Sequence, residues 1–216
     1  MKKITTWLMT LLLPLMLAGT ACAQEYTDGK EYLTLKTPQP TNSGDNIEVV
    51  ELFWYGCPHC YRLDPLLDDW HKTIADDVEF IRMPAVLGPN WVLYGKAFYT
   101  AELLGVTDKI HPALFSAIHK DKKKLRNADD LKALFAKQGV SAEDFDNTFN
   151  SFAVNVKMNN AKQMTKRYAI TGVPTIIVNG KYSTSGSQAG SNENIIKVMD
   201  YLIDRERAPV AAAGAP

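Results

Sequence analysis

The 216-residue sequence predicts an α/β fold interrupted by an all-helical insertion. Three observations carry this. Strand, helix and strand patterns follow one another over residues 47–83, the order that builds a parallel pair. Residues 88–158 then show apolar spacing of helical period and no strand signal. Strand character returns at 173–182, where Asn179-Gly180 separates two runs, and a last helical pattern follows.

The chain opens with Met1-Lys2-Lys3, a mostly apolar run from Leu8 to Leu17, and small residues leading to Ala21-Cys22-Ala23. These are the three parts of a secretory signal peptide, residues 1–23, with cleavage expected after Ala23. The apolar run is short for a membrane span, and no later segment is long enough. An uncleaved anchor and a lipoprotein acylated at Cys22 are the alternatives. Gly19-Thr20-Ala21 lacks the aliphatic residue expected before an acylated cysteine. Removing residues 1–23 takes two lysines from 24 basic residues and none from 24 acidic ones, so the mature net charge is about −2. That balance makes no electrostatic case for nucleic acid or an anionic membrane surface.

Residues 24–46 carry Pro38, Pro40, Asn42 and Gly44 and read as an extended lead-in. Ile47–Tyr55 is a strand interrupted by acids at 48 and 51. From Cys57, residues Cys60, Leu63, Leu67, Trp70 and Ile74 mark the buried face of a helix that Pro65 should kink. Val78–Met83 is a second strand, closed by Pro84. Asn90–Leu104 is helical and ends at Gly105, and Ile110, Leu114 and Ile118 follow in the next segment. Asn127 caps a short helix closed by Gly139. Ser141 with Asp144 begins another, carrying Phe145, Phe149, Phe152 and Val156. Val173–Val178, Asn179-Gly180 and Lys181-Tyr182 form a hairpin, Glu193–Glu206 a helix, and residues 208–216 a frayed tail.

The chemistry concentrates in Cys57-Pro58-His59-Cys60 at the junction of the first strand and helix. With Cys22 removed, the mature chain holds one dithiol and no other cysteine. A chain of this size does not need disulfide staples, so the pair reads as chemical. Cys57 at the helix N-terminus meets unpaired N–H groups and the positive end of the macrodipole, which favour thiolate. Cys60, one turn in, should be more buried and less acidic. Cys57 is therefore the residue expected to bond substrate sulfur and Cys60 the resolving partner. His59 can add positive charge or a hydrogen bond to the Cys57 thiolate, or stand as a solvated loop histidine. Pro58 suits the first turn, where its missing N–H costs little.

Glu51-Leu52-Phe53, the Cys57–Cys60 tetrapeptide, the helical insert and Gly172-Val173-Pro174-Thr175 together resemble the DsbA family of bacterial periplasmic thiol:disulfide oxidoreductases over about residues 25–207. The resemblance implies a thioredoxin fold in two parts, residues 24–87 and 159–207, around a helical insertion at 88–158. It implies that the Pro58-His59 dipeptide marks an oxidant, that Pro174 is cis against the dithiol, and that the Val173 backbone pairs with an extended substrate. It further implies that Glu51 is a buried acid relaying the Cys60 proton. A solvated, edge-facing Glu51 and an ordinary trans Pro174 are the plainer readings. Some relatives pair this acid with a buried lysine, and none is evident here. The implied substrates are reduced, unfolded exported proteins, and the implied reoxidant is a DsbB-like membrane quinone reductase. No cofactor is implied, and a monomer is expected.

Rival functions are a disulfide isomerase or reductase, a non-catalytic holdase for unfolded exported proteins, and a metal-binding module. The last is disfavoured because one C-x-x-C supplies two of the four ligands a closed zinc site needs. His111 and His119 are expected at the surface, and Lys120–Lys124 as a solvated helix end. Trp54, Tyr55, Leu87 and Trp91 read either as an apolar groove near the dithiol or as core.

Overall fold

The computed structural model describes residues 25–207; the expected signal peptide, its cleavage site, Cys22 and the tail from 208 lie outside them. A five-stranded mixed sheet organises the chain in the order β1 (Leu33–Thr34), β5 (Tyr182–Ser185), β4 (Thr175–Val178), β2 (Ile47–Phe53), β3 (Val78–Pro84). β2 pairs parallel with β3 through helix α1 (Pro58–His71) and antiparallel with β4. All seven residues of β2 are buried, which suits a strand flanked on both edges and covered on both faces.

The β4–β5 hairpin turns where Asn-Gly predicts it. Asn179 and Gly180 have φ of 49° and 62°, and Lys181 N–H donates to the Val178 carbonyl at 3.0 Å, as in a type I′ turn. β1 is a two-residue edge strand drawn from the segment expected to be extended. Its brevity explains why no alternation announced it.

One face of the sheet is covered by α1 and the last helix α8 (Asn192–Arg207), which bury Leu63, Leu67, Ile195 and Met199 against Val49 and Ile176. The opposite face, carrying Val50, Leu52 and Ile177, packs on Met164 and Tyr168 at the end of α6 (Phe152–Arg167). Between β3 and β4 stand α2 (Trp91–Leu103), α3 (Thr107–His119), α4 (Ala128–Lys137), α5 (Ala142–Phe149) and α6. Asn127 accepts from Asp130 N–H, and Ser141 exchanges hydrogen bonds with Asp144, as their caps require. The insert's core of Phe98, Leu114, Phe135 and Phe145 is continuous with Phe53, Tyr55 and both cysteines.

Two boundaries differ from expectation. The helix expected to run from Ser141 past Val156 breaks after Phe149, and Ser151 recaps α6 by accepting from Val154 N–H at 3.2 Å. The break shifts the helical phase, so Val154 and Met158 face inward while Phe152 is 83% exposed. The position 158 taken as the end of the insertion lies inside α6, which runs unbroken from the insert to the sheet.

Candidate active site

β2 ends at Phe53, and Trp54–Gly56 turn the chain into α1. Cys57 N–H donates to the Trp54 carbonyl at 2.9 Å, so the turn closes on the first cysteine. Cys57 is the N-cap of α1, with extended φ/ψ of −88° and 118°, and Pro58 opens the first turn. Both thiols are free, with Cys57 8% exposed and Cys60 fully buried.

Their acidities are driven apart. A hydrogen bond from the Cys60 thiol is the largest influence holding the Cys57 thiol down at about 5. Backbone N–H groups of Cys60 and His59 add to it against the opposing effect of burial. Burial, and the thiol's commitment to Cys57, push Cys60 far above the ordinary thiol range. This is the asymmetry expected from their positions on the helix.

His59 is exposed, and its Nδ1 lies 2.9 Å from Arg62 Nη2. A guanidinium only donates, so Nδ1 accepts and the ring keeps its proton on Nε2. At Cys57 the backbone N–H of His59 is the larger influence and the electrostatic effect of its side chain the smaller, both favouring the thiolate.

Across the dithiol, the Val173–Pro174 peptide bond is cis. Cys57 Sγ lies 3.4 Å from the Val173 carbonyl oxygen, within reach for the thiol to donate. Thr175 Oγ1 donates to the Gly172 carbonyl at 2.8 Å and tightens the loop that leads into β4.

Glu51 is 1% exposed beneath the helix, so the edge-facing reading does not hold. Its partner is Arg82, directly opposite in the β2–β3 register, with Nε 3.3 Å from Oε2. Neither atom makes a hydrogen bond, so this is an ion pair without directional support. Burial dominates and, with Arg82 only partly offsetting it, raises the Glu51 carboxyl to about 8. The basic partner of this acid is thus an arginine and not a lysine. Arg82 also reaches Asp64 at 3.3 Å and Asp68 at 2.7 Å, both on α1.

The histidines expected at the surface are not there. His111 is 4% exposed, with Nε2 2.9 Å from Asp64 Oδ1 and Nδ1 2.7 Å from the Tyr55 hydroxyl. His119 Nε2 donates to the Tyr55 carbonyl at 2.7 Å, and its ring stacks on Tyr61 at 4.9 Å. The missed signal was the four-residue spacing of His111, Phe115 and His119, which puts both rings on the face of α3 that Phe115 buries. Lys120 to Lys124 are exposed, as expected.

Tyr55 belongs to the core, and Trp54 stacks on Trp91 with centroids 4.5 Å apart. The groove beside the dithiol lies elsewhere. An open channel of about 1420 Å³ starts at His59, Arg62, Val173 and Pro174 and runs toward Gln188 and Glu193. None of Trp54, Tyr55, Leu87 or Trp91 lines it. No cluster of metal-ligating side chains occurs among the described residues.

Residues 81–192 match the model of the DSBA-like thioredoxin domain. The thiol:disulfide interchange protein DsbA of Pseudomonas aeruginosa is 46% identical over 188 residues, covering 87% of this chain and 89% of that protein. DsbA of Burkholderia cepacia is 39% identical over 207 residues, 94% of this chain and 96% of that protein. The crystal structure of P. aeruginosa DsbA superposes with a TM-score of 0.82 at 46% identity, covering 85% of this chain and 95% of that one. That of the oxidoreductase DsbA from Xylella fastidiosa does so with 0.80 at 36% identity, covering 85% and 99%.

Proposed function

From the premise that the chain belongs to the DsbA-like family of thioredoxin-fold thiol:disulfide oxidoreductases, we propose that it is an oxidant, donating a Cys57–Cys60 disulfide to cysteine pairs of newly exported proteins. The observation that carries this reading is the opposed acidity of two thiols one helical turn apart. A substrate thiolate attacks Cys57 Sγ, the Cys57–Cys60 bond breaks, and Cys60 leaves with the electron pair. Glu51, protonated below about pH 8, stands beneath Cys60 as the source of the proton that Cys60 then holds. The second substrate thiolate attacks its partner sulfur, and Cys57 departs as a stable thiolate. Substrate has lost two electrons and the protein has gained them. Because a low-pKa thiol leaves readily and its reduced form is stabilised, the exchange runs toward donation.

Val173 and Pro174 fit the role of holding extended substrate, since the Val173 carbonyl sits beside Cys57 Sγ. His59 and Pro58 shape the first turn. In this reading the protein acts as a monomer in the periplasm after cleavage following Ala23. A DsbB-like membrane quinone reductase then restores the disulfide.

The test is oxidation of a reduced, unfolded two-cysteine substrate. Cys57→Ser abolishes it, and Cys60→Ser accumulates mixed disulfides through Cys57. Normal turnover by Cys57→Ser refutes the assignment. A glutathione equilibrium as reducing as thioredoxin's would favour the reductase or isomerase reading. Undiminished protection of unfolded chains by the double serine variant would favour the holdase.

A further inference from the structure

The groove that leaves the dithiol is cationic, and its cations have no acids. Lys36, Arg62 and Arg167 line it, and all three are exposed. Among the described residues none of the three forms an ion pair with a carboxylate. The one carboxylate lining the groove, Glu193, is held low by its own backbone and by Ser191, at the start of α8. Elsewhere Arg82, Lys132, Lys181 and Arg207 each meet at least one acid, while exposed Lys109, Lys137 and Lys162 meet none among the described residues. What marks the groove is the convergence of three unpaired cations on one channel with a single carboxylate. A second observation is independent of charge. Gln188, further along the groove, has a buried Nε2 with no acceptor, because its Oε1 is the atom that engages Ser185. A buried amide donor without a partner is costly, and an acceptor-rich occupant would satisfy it.

We propose that this groove makes the protein selective for acidic extended segments, so that Asp or Glu residues flanking a substrate cysteine pair with Arg62, Arg167 and Lys36. The inference rests on the reading that substrate enters along Val173 and Pro174, and it names the chemical class of chain admitted there. The shape favours a peptide over a bilayer surface, since the cations line a channel and not a flat face. The placement favours flanking residues, since Arg62 lies two residues beyond Cys60 in α1 and Arg167 ends the helix leading to the cis-proline loop. Arg62 already donates to His59 through one nitrogen, and its remaining donors are free for a bidentate carboxylate. Exposed ion pairs are individually weak and screened by salt, so the selectivity belongs to low and physiological ionic strength.

The test uses three short two-cysteine peptides of one sequence whose flanking positions carry Asp, Asn or Lys. Each is oxidised by the wild-type protein and by Lys36→Gln/Arg167→Gln, at low and high salt. Rates are expressed relative to each protein's oxidation of dithiothreitol. Flanking charge also alters a peptide's own thiol acidity, and comparing the two proteins on the same peptide cancels that effect. The expected result is an acidic-over-basic preference about tenfold greater for the wild type at low salt, collapsing at high salt. Equal preferences in the two proteins overturn the proposal, as does a preference indifferent to salt. If dithiothreitol is oxidised but flanks make no difference, selectivity alone fails. If dithiothreitol is not oxidised either, the oxidant reading fails with it.

Discussion

Asp64 and His111 stand 47 residues apart in the chain and 2.9 Å apart in the structure, Oδ1 to Nε2. Asp64 belongs to the helix that carries the dithiol, and His111 to the helical insert. The far nitrogen of the same ring meets the Tyr55 hydroxyl at 2.7 Å, beside the turn into Cys57. One imidazole thus ties the catalytic helix, the turn before it and the insert together through buried hydrogen bonds. His111→Phe keeps the volume, leaves the tyrosine hydroxyl unpaired and strips Asp64 Oδ1 of its closer partner, with Arg82 still 3.3 Å away, at a cost of about 1–3 kcal/mol. Urea unfolding of the reduced protein should show that loss near neutral pH. Burial holds His111 below its usual 6.5, so the folded protein takes up its proton less readily than the unfolded chain. The stability this histidine lends is complete above about pH 6.5 and wanes as pH falls below it. The deficit of the variant should therefore shrink in acid, and a constant deficit would contradict the buried neutral ring.

The opposed thiol acidities dictate how the redox potential responds to pH. Below the Cys57 pKa of about 5, reduction binds two protons; above it, only Cys60 binds one. For a two-electron couple each proton contributes about 30 mV per pH unit. The potential should fall by about 60 mV per unit below pH 5 and about 30 mV per unit above it, measured against glutathione or a dithiol buffer. A break near pH 9, the position of an ordinary thiol, would remove the driving force proposed for disulfide donation.

The parallel unit, the hairpin, the helix caps at Asn127 and Ser141 and the dithiol's place at the head of α1 could be read because each rests on local chemistry: period, turn residues, a side chain reaching its own first turn. What escaped depends on pairing across the chain. Arg82 is an unremarkable strand residue until the β2–β3 register sets it opposite Glu51. His111 reads as a surface histidine until Asp64 and Tyr55 close around it. The break between α5 and α6 escaped because Phe152 and Val156 continue an apolar rhythm that the chain then turns toward solvent. The groove's polarity was invisible for the same reason, since Lys36, Arg62 and Arg167 come from three separate segments.

Glu51 offers a test of stability against pH with the opposite sense to the histidine. Its carboxyl titrates at about 8 in the folded protein against 4.5 in the unfolded chain, so folding favours the protonated form. It costs nothing below about 4.5, progressively more up to about 8, and its full penalty above. Glu51→Gln keeps the shape and removes the charge. The variant should gain on the wild type in urea midpoint between pH 5 and 9. A gain that is the same at both pH values would mean that Arg82 keeps the glutamate ionised throughout.

Gly56 precedes Cys57 and allows the indole of Trp54 to fold back over it. A Cβ added at Gly56 would fall within contact distance of that ring's Cζ2, Cη2 and Cζ3 atoms, closer than real side chains approach. The Gly56 backbone itself is not left-handed, so Gly56→Ala acts by displacing the ring and not by strain in the chain. The displaced indole loses its stack on Trp91, now 4.5 Å away and 15° from parallel. Overpacking of this kind costs about 1–3 kcal/mol. Near-ultraviolet circular dichroism should lose the signal of the coupled indoles, and urea unfolding should report the cost. In a Trp91→Ala background the ring has already lost its partner and has space to move, so the same substitution should cost measurably less. The influences named for the Cys57 thiol come from Cys60, burial and His59 and not from Trp54 or Trp91, so its pKa should stay near 5 in Gly56→Ala. Equal costs in the two backgrounds would show that Gly56 serves the turn and not the stacked tryptophans.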